Sequence, residues 1–393
     1  MIGVPATTSN IPPTAMVFVS DLDSVGVIRQ SLGDVGLKNA VFVSGDVKTA
    51  TAAMTQGSSP RMLIVDISSV DEPIARIAEL AQVCEPGLAV IVIGVDNDIR
   101  LYRGLKAAGI AEYFFKPLVR NVVARACDAI LSGTLASPAT STGRLVIVLG
   151  VRGGVGATTI AVSTAWQMAE LYKRWVMLLD VDLYSGDAAL QFDQEPSHAL
   201  AEALARPDRV DELFLERGAI HIAPRLDLLA SLESLADPVS VDEPALLSLL
   251  ETLLRRYRFV IVDLPAIQAI RLSKVLQLPS LCIVVSNGTL VSARDVARLY
   301  EKIGPNTADR STIHILNQSG GVGSLPETEF VRAAGKAPDI IIPYYRDVAA
   351  ASNLGMKGIR ECASLERAVA PLLRQLVGEV EVAPPSLFHR LFG

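Results

Sequence analysis

The residues best suited to chemistry lie in Leu145–Thr159, LVIVLGVRGGVGATT. An apolar run closes on Gly150. Gly153, Gly154 and Gly156 follow, then Ala157, Thr158 and Thr159, and then a helix-like segment, IAVSTAWQMAELYK. Glycines let backbone N–H groups turn toward one point, and the positive end of the next helix faces the same point. Strand, glycine loop and helix together make a phosphate-binding loop. The general pattern G-x-x-x-x-G-K-[ST] is met only in part. Ala157 stands where the lysine belongs and Val151 where a glycine belongs. Backbone binding of phosphate survives both changes, but a cation that would stabilise charge on the β/γ oxygens is missing.

A loop of this kind works only if a sheet delivers it beside other polar groups. The runs WVMLLDVD and FVIVDLP read as strands ending on Asp180/Asp182 and on Asp263. LCIVVS, TIHILN and DIIIPY are three more. Short Val/Ile/Leu blocks of this kind, apolar on both faces, are parallel strands covered by helices. EPALLSLLETLLRRY has the apolar spacing of an amphipathic helix, and further helices are expected near 291–303, 326–334, 345–353 and 363–377.

An earlier alternation precedes this one. MVFVS, AVFVSG, RMLIVD, LAVIVIG and AEYFFKP read as five strands, with helices near 24–35, 71–84, 97–108 and 118–131. The expected layout is a tail over 1–13, a first α/β domain over 14–133, a small-residue linker over 134–143, a second α/β domain over 144–378 and a tail over 379–393. The chain has 393 residues, half of them apolar and a fifth charged. Mean hydropathy is +0.38, yet no apolar run nears the ~18–20 residues a membrane span needs. A net charge of −6 argues against sequence-specific nucleic-acid binding. The four cysteines are scattered, so neither a zinc site nor a disulfide framework is expected, and a reducing cytoplasm is the default. In the C-terminal LFHRLFG, Leu387/Phe388 and Leu391/Phe392 recur at i,i+4. One such turn suits peripheral membrane or partner contact but does not anchor alone.

The first domain resembles a response-regulator receiver, a flavodoxin-like doubly wound sheet. The resemblance implies a phospho-acceptor at Asp66, with Asp21 as an acidic neighbour and Lys116, before Pro117, closing the site. Leu22 stands where a second acid belongs, with Asp23 displaced by one, and Gly94 where a Ser or Thr belongs.

RGGVGATT, WVMLLDVD and FVIVDLP together resemble the deviant-Walker ATPases of the ParA/MinD family. The resemblance implies a P-loop ParA/MinD-type sheet, mostly parallel with helices on both faces. It implies ATP and Mg²⁺ as cofactors, held by Gly153, Gly154, Val155, Gly156, Ala157, Thr158 and Thr159. Asn317 and Pro343 fall where adenine is met, Thr158 and Asp263 where Mg²⁺ is held, and Asp182 where the attacking water is positioned. Arg152 takes the place of the signature lysine that crosses a dimer. More narrowly, DLYSGDAALQFDQEP followed by AEAL, then ILNQSG and IIPYYRDVAAASNLG behind a receiver-like front, is similar to the TadZ/CpaE pilus-assembly proteins. That likeness implies an ATP-binding polar localisation factor of a Tad (Flp, type IVc) pilus. It would be a nucleotide-biased homodimer with weak or no hydrolysis, working with the secretion ATPase and polar factors of that machine. The alternatives are a nucleotide-independent scaffold and a signalling output protein controlled by phosphorylation of Asp66.

Overall fold

The computed structural model describes residues 13–132 and 143–377, apart from 38, 57–58, 237–239 and 352. The expected tails over 1–13 (save its last residue) and 379–393, including LFHRLFG, and the linker over 134–143 (save Gly143) lie outside the described residues. The chain divides into two compact units, Met1–Gly143 and Arg144–Gly393.

The first unit alternates β1 (Ala15–Phe18), α1 (Leu22–Asp34), β2 (Ala40–Val43), α2 (Val47–Gln56), β3 (Met62–Asp66), α3 (Pro73–Val83), β4 (Ala89–Gly94), α4 (Ile99–Ala107), β5 (Glu112–Phe115) and α5 (Arg120–Leu131). The strands are parallel in the order β2-β1-β3-β4-β5, the flavodoxin-like arrangement. The central strands β3 and β4 are buried along their whole length, as runs covered on both faces must be. Two local features depart from the expected elements. Helix α1 starts at Leu22 because the Asp21 carboxylate caps it, accepting from Ser24 N at 2.7 Å. Helix α2 was not expected from VKTATAAMTQ. Asp46 starts it by accepting from the N–H groups of Lys48 (3.0 Å) and Thr49 (3.1 Å), and Val47, Ala50 and Met54 bury its inner face.

The second unit contains β6 (Arg144–Gly150), α6 (Ala157–Glu170), β7 (Val176–Asp180), α7 (Ala188–Gln191), α8 (Ala199–Ala205), α9 (Glu212–Gly218), β8 (Ile220–Ala223), β9 (Leu226–Leu229), α10 (Glu243–Arg256), β10 (Phe259–Pro265), α11 (Ala266–Ala269), β11 (Ser280–Asn287), α12 (Leu290–Ile303), β12 (Arg310–Ser319), α13 (Glu327–Ala334), β13 (Ile340–Pro343), α14 (Arg346–Ala351), α15 (Gly355–Glu361) and α16 (Ala363–Val377). Its eight strands run in the order β13-β12-β11-β6-β10-β7-β9-β8. All pairs are parallel except β8 with β9. Both units are therefore the helix-covered parallel α/β folds expected from the strand pattern. Strand β6 sits mid-sheet, so its C-terminal end lies between the ends of β10 and β11. In open α/β sheets ligands gather at that edge.

One buried group of the second unit favours the fold less as pH falls. His314 on β12 is fully buried, 2.8 Å from Ser286 Oγ through Nε2 and stacked on Phe330 at 5.9 Å. Burial pulls its pKa from 6.5 down to about 4. Its neutral form is required in the fold, so its contribution is complete above pH 6.5 and is lost as pH falls toward 4. We expect a cost of about 3 kcal/mol across that window. Both tryptophans, Trp166 and Trp175, lie in this unit. Urea unfolding followed by tryptophan fluorescence at pH 7 and pH 4 should show the change in stability to be less favourable to wild type than to His314→Phe by about that amount, the buried carboxylates being common to both. An equal pH dependence in both proteins would contradict this role.

Candidate nucleotide site

Strand β6 delivers Gly150 to the sheet edge, and the loop to Gly156 leads straight into α6. Val151 N donates to the Val285 carbonyl of β11 at 2.9 Å, and Val155 is buried, so the loop is fastened at both ends. Gly154 (φ +80°) and Gly156 (φ +86°) hold left-handed backbone that other residues adopt at a cost. A Cβ on Gly156 would come 2.5 Å from Asn317 Nδ2. Asn317 in turn donates to the Val155 carbonyl (2.8 Å), and Gln318 Nε2 donates to the Gly154 carbonyl (3.3 Å). The end of β12 thus takes two loop carbonyls, and the loop borders a cavity of about 1290 Å³.

The same cavity is lined by Gly153, Gly154, Val155, Gly156, Ala157, Thr158 and Thr159, and by Arg152, Asp182 and Asp263. Asn317 and Pro343 line an adjoining recess of about 100 Å³ with Gly156, Thr159, Tyr344 and Tyr345. The residues named from sequence therefore cluster on one edge of the sheet.

Register explains the acidic side. Asp180 and Asp263 are paired residues of the neighbouring parallel strands β7 and β10, and both are buried. Burial, then mutual repulsion, pushes Asp263 up to about 8. Burial above all raises Asp180 to about 7, against hydrogen bonds from Ala188 N and Asp182 N that favour its charge. The Thr158 hydroxyl hydrogen-bonds Asp263, so a helix-start hydroxyl and a strand-end carboxylate already meet. Asp182 caps its own turn, with Oδ1 accepting from Tyr184 N and Ser185 N and Oδ2 from Ser185 Oγ at 2.6 Å. Gly186 is required beside it, because a Cβ there would lie 2.5 Å from Asp180 Oδ2.

These residues fit a Mg²⁺ nucleotide. The glycine loop holds left-handed backbone at 154 and 156, the helix start presents its positive end, and Thr158 with Asp263 offers hard oxygen donors. Among the described residues no group of three or more His, Cys, Asp or Glu could hold a metal unaided. Several lining residues escaped the sequence reading: Arg294, Asp295 and Arg298 of α12, Ile267 and Ile270 after β10, and Tyr344 and Tyr345. Only their approach in the fold brings them to the site.

The first unit has its own polar centre. Lys116 Nζ donates to Asp21 Oδ2 and to Asp66 Oδ2, both at 2.6 Å. Burial alone would lower the Lys116 pKa, but those two hydrogen bonds hold it above its usual value. Asp66 Oδ1 accepts from Ser68 N (2.9 Å) and Ser68 Oγ (2.5 Å). Leu22 and Asp23 stand exposed on the first turn of α1. At Gly94 the space for a side chain is filled: Tyr113 Oη lies 2.7 Å from where a Cβ would be and donates to the Asp96 carbonyl at 2.6 Å.

The chain is similar to several known proteins. A family model described as cellulose biosynthesis protein BcsQ matches residues 144–295. The antiactivator FleN of Pseudomonas aeruginosa is 35% identical over 82 residues, 21% of this chain and 29% of that protein. The chain thus aligns with under a third of that relative's length. Among solved structures, a ParA family ATPase from Chlorobium tepidum TLS is 22% identical with a TM-score of 0.52, covering 60% of this chain and 99% of that one. The pilus assembly protein CpaE from Caulobacter crescentus is 29% identical over 30% of this chain and 92% of its own, with a TM-score of 0.28. The second unit has the fold of that ParA family ATPase, as its motifs implied, and a flavodoxin-like unit precedes it in the chain.

Proposed function

We propose that this chain is an ATP-binding localisation and assembly factor of a Tad (Flp, type IVc) pilus. It binds Mg²⁺-ATP, hydrolyses it slowly or not at all, and forms a homodimer biased by the nucleotide. One observation carries the nucleotide part: the glycine cradle and the Thr158–Asp263 pair stand together while the lysine position holds Ala157. The pilus part rests on the chain-long likeness of the motifs quoted above. In this reading Gly153–Thr159 bind the phosphates, Asn317 and Pro343 flank the base, Thr158 and Asp263 hold Mg²⁺, Asp182 orients water and Arg152 meets phosphate. The secretion ATPase and polar factors of the machine are the partners, at a cytoplasmic pole beside the inner membrane. Among the described residues no helix is long and apolar enough to cross a membrane, so any membrane contact in this reading is peripheral. The working units are 14–133 and 144–378, with 134–143 between them. Light scattering of the purified chain with and without MgATP tests the proposal. The expected outcome is a shift from monomer toward dimer with ATP. An oligomer unchanged by ATP would favour a nucleotide-independent scaffold instead.

A second reading concerns the first unit alone. Lys116 bridging Asp21 and Asp66 supports it, and in this reading phosphorylation of Asp66 sets the state of the protein. Radiolabelled acetyl phosphate should label the wild type and leave Asp66→Ala unlabelled. Equal labelling of both would remove Asp66 from that role.

A further inference from the structure

Two stretches singled out in the sequence, DLYSGDAALQFDQEP and IIPYYRDVAAASNLG, meet at one residue pair. Asp193, just after α7, holds left-handed backbone at φ +55°, and Gly355 opens α15 at φ +56°. Asp193 Oδ2 accepts from Met356 N at 3.0 Å. A Cβ on Gly355 would run into the same carboxylate, with Asp193 Cγ 2.5 Å away, so glycine is what lets Asp193 close on the start of α15. Each side of this joint leads back to the cavity. On one side, Asp180 Oδ2 accepts from Ala188 N at 3.2 Å and Asp187 Oδ2 from Gln191 Nε2 at 3.0 Å. Gly186 N donates to the Asp182 carbonyl at 3.0 Å, so α7 is tied to the Asp182 turn. On the other side, a Cβ on Gly358 of α15 would run into the Ala351 carbonyl, so α14 and α15 pack backbone to backbone. Val348 and Ala349 of α14 line the recess that Asn317 and Pro343 also line.

Asp193 is exposed and stands outside the linings of both the cavity and the recess. Any effect it has on the site passes through the elements it joins. A hydrogen bond to an ionised acceptor is stronger than a neutral one, and closely packed elements move together instead of deforming. We infer that Asp193 is a positioning residue that couples the recess to the Asp182 turn. A planar base in the recess fixes α14, and α15 follows it. The Asp193 bond then carries that position through α7 to the turn. A polyphosphate with no base leaves the recess empty and gives the joint nothing to transmit. The inference rests on reading the cavity and its recess as a nucleotide site.

Two ligands test it on the full chain: MgATP, and magnesium tripolyphosphate, which lacks the base. Affinities are read by calorimetry, and hydrogen exchange of the 183–192 amides is read with each ligand at saturation. In wild type MgATP should slow that exchange about two- to tenfold more than tripolyphosphate, the range one hydrogen bond spans. Asp193→Gly keeps the left-handed backbone without strain and removes the carboxylate. It should erase the difference and weaken MgATP by a similar factor, with tripolyphosphate affinity unchanged. Asp193→Asn keeps an acceptor oxygen and accepts the same backbone, so it should restore both. A residue with only a structural role would change exchange and affinity alike for the two ligands, and that result overturns the inference. A difference that survives in Asp193→Gly, or is absent from wild type, also overturns it and leaves the nucleotide site standing. No binding of MgATP by wild type would remove the site and the inference together.

Discussion

Ala157→Lys is expected to raise ATP turnover by about 10²-fold and to change ATP affinity little. Residue 157 opens α6, is partly exposed and lines the cavity. Gly150 faces it: a Cβ on Gly150 would lie 3.0 Å from the Ala157 Cβ. A longer side chain at 157 can thus run over the end of β6 toward the cavity. One preorganised donor at developing phosphoryl charge is worth about 10²–10³ in rate. A cation on the first turn of a helix opposes the dipole by about 0.3–1 kcal/mol. The rate gain far exceeds that cost, so the variant should stay folded. Binding rests on backbone N–H groups that the substitution leaves alone. Phosphate release and titration calorimetry on both proteins check the two halves of the expectation. Equal turnover in the two proteins would show that the missing charge does not limit hydrolysis.

Gly156→Val should have the opposite effect, with nucleotide binding reduced at least about thirtyfold and the sheet intact. At φ +86° a β-branched residue is strained by about 1–3 kcal/mol. Its Cβ would also displace Asn317, and the bond that pins the Val155 carbonyl is worth about 0.5–1.5 kcal/mol. Rebuilding the loop to bind would cost about 2–4 kcal/mol, or roughly 30- to 10³-fold in affinity. The burden falls on a surface loop, so the melting temperature without nucleotide should move little. The rise in melting temperature on adding MgATP should vanish. A variant that still binds within threefold of wild type would contradict the role given to this glycine.

The parts of the site legible in sequence share one property: each is marked by a local constraint. Glycines at 153, 154 and 156 report a backbone that must turn. The polar residues Asp263 and Asn317, closing apolar runs, report strand ends that reach water. Lys116 before Pro117 reports a strand end in the same way. The rest depends on distant segments meeting. Nothing near Asp180 marks it as the register partner of Asp263 across β7 and β10. Its raised pKa is a property of that pairing and not of its neighbours in sequence. RDVAR in α12 reads as an ordinary solvated helix face until β11 is placed against β6, which brings Asp295 to Arg152. Gly94 reads as a missing hydroxyl, yet its place is filled by Tyr113 from the next strand. Helix α2 was hidden by its Thr and Ala content, since its buried face rests on only a few apolar contacts. The helix expected over 345–353 is α14, and α15 after it was not expected; Gly355, at φ +56°, opens it.

The central claim is that this loop keeps the binding half of a phosphate site and lacks the fast-hydrolysis half. One sample of purified chain tests it most directly, titrated with MgATP by calorimetry and then assayed for phosphate release at saturation. The account predicts saturable binding of one nucleotide per chain, with release far below the roughly 10 s⁻¹ of a typical enzyme. No saturable binding, or release at that ordinary rate, would contradict it.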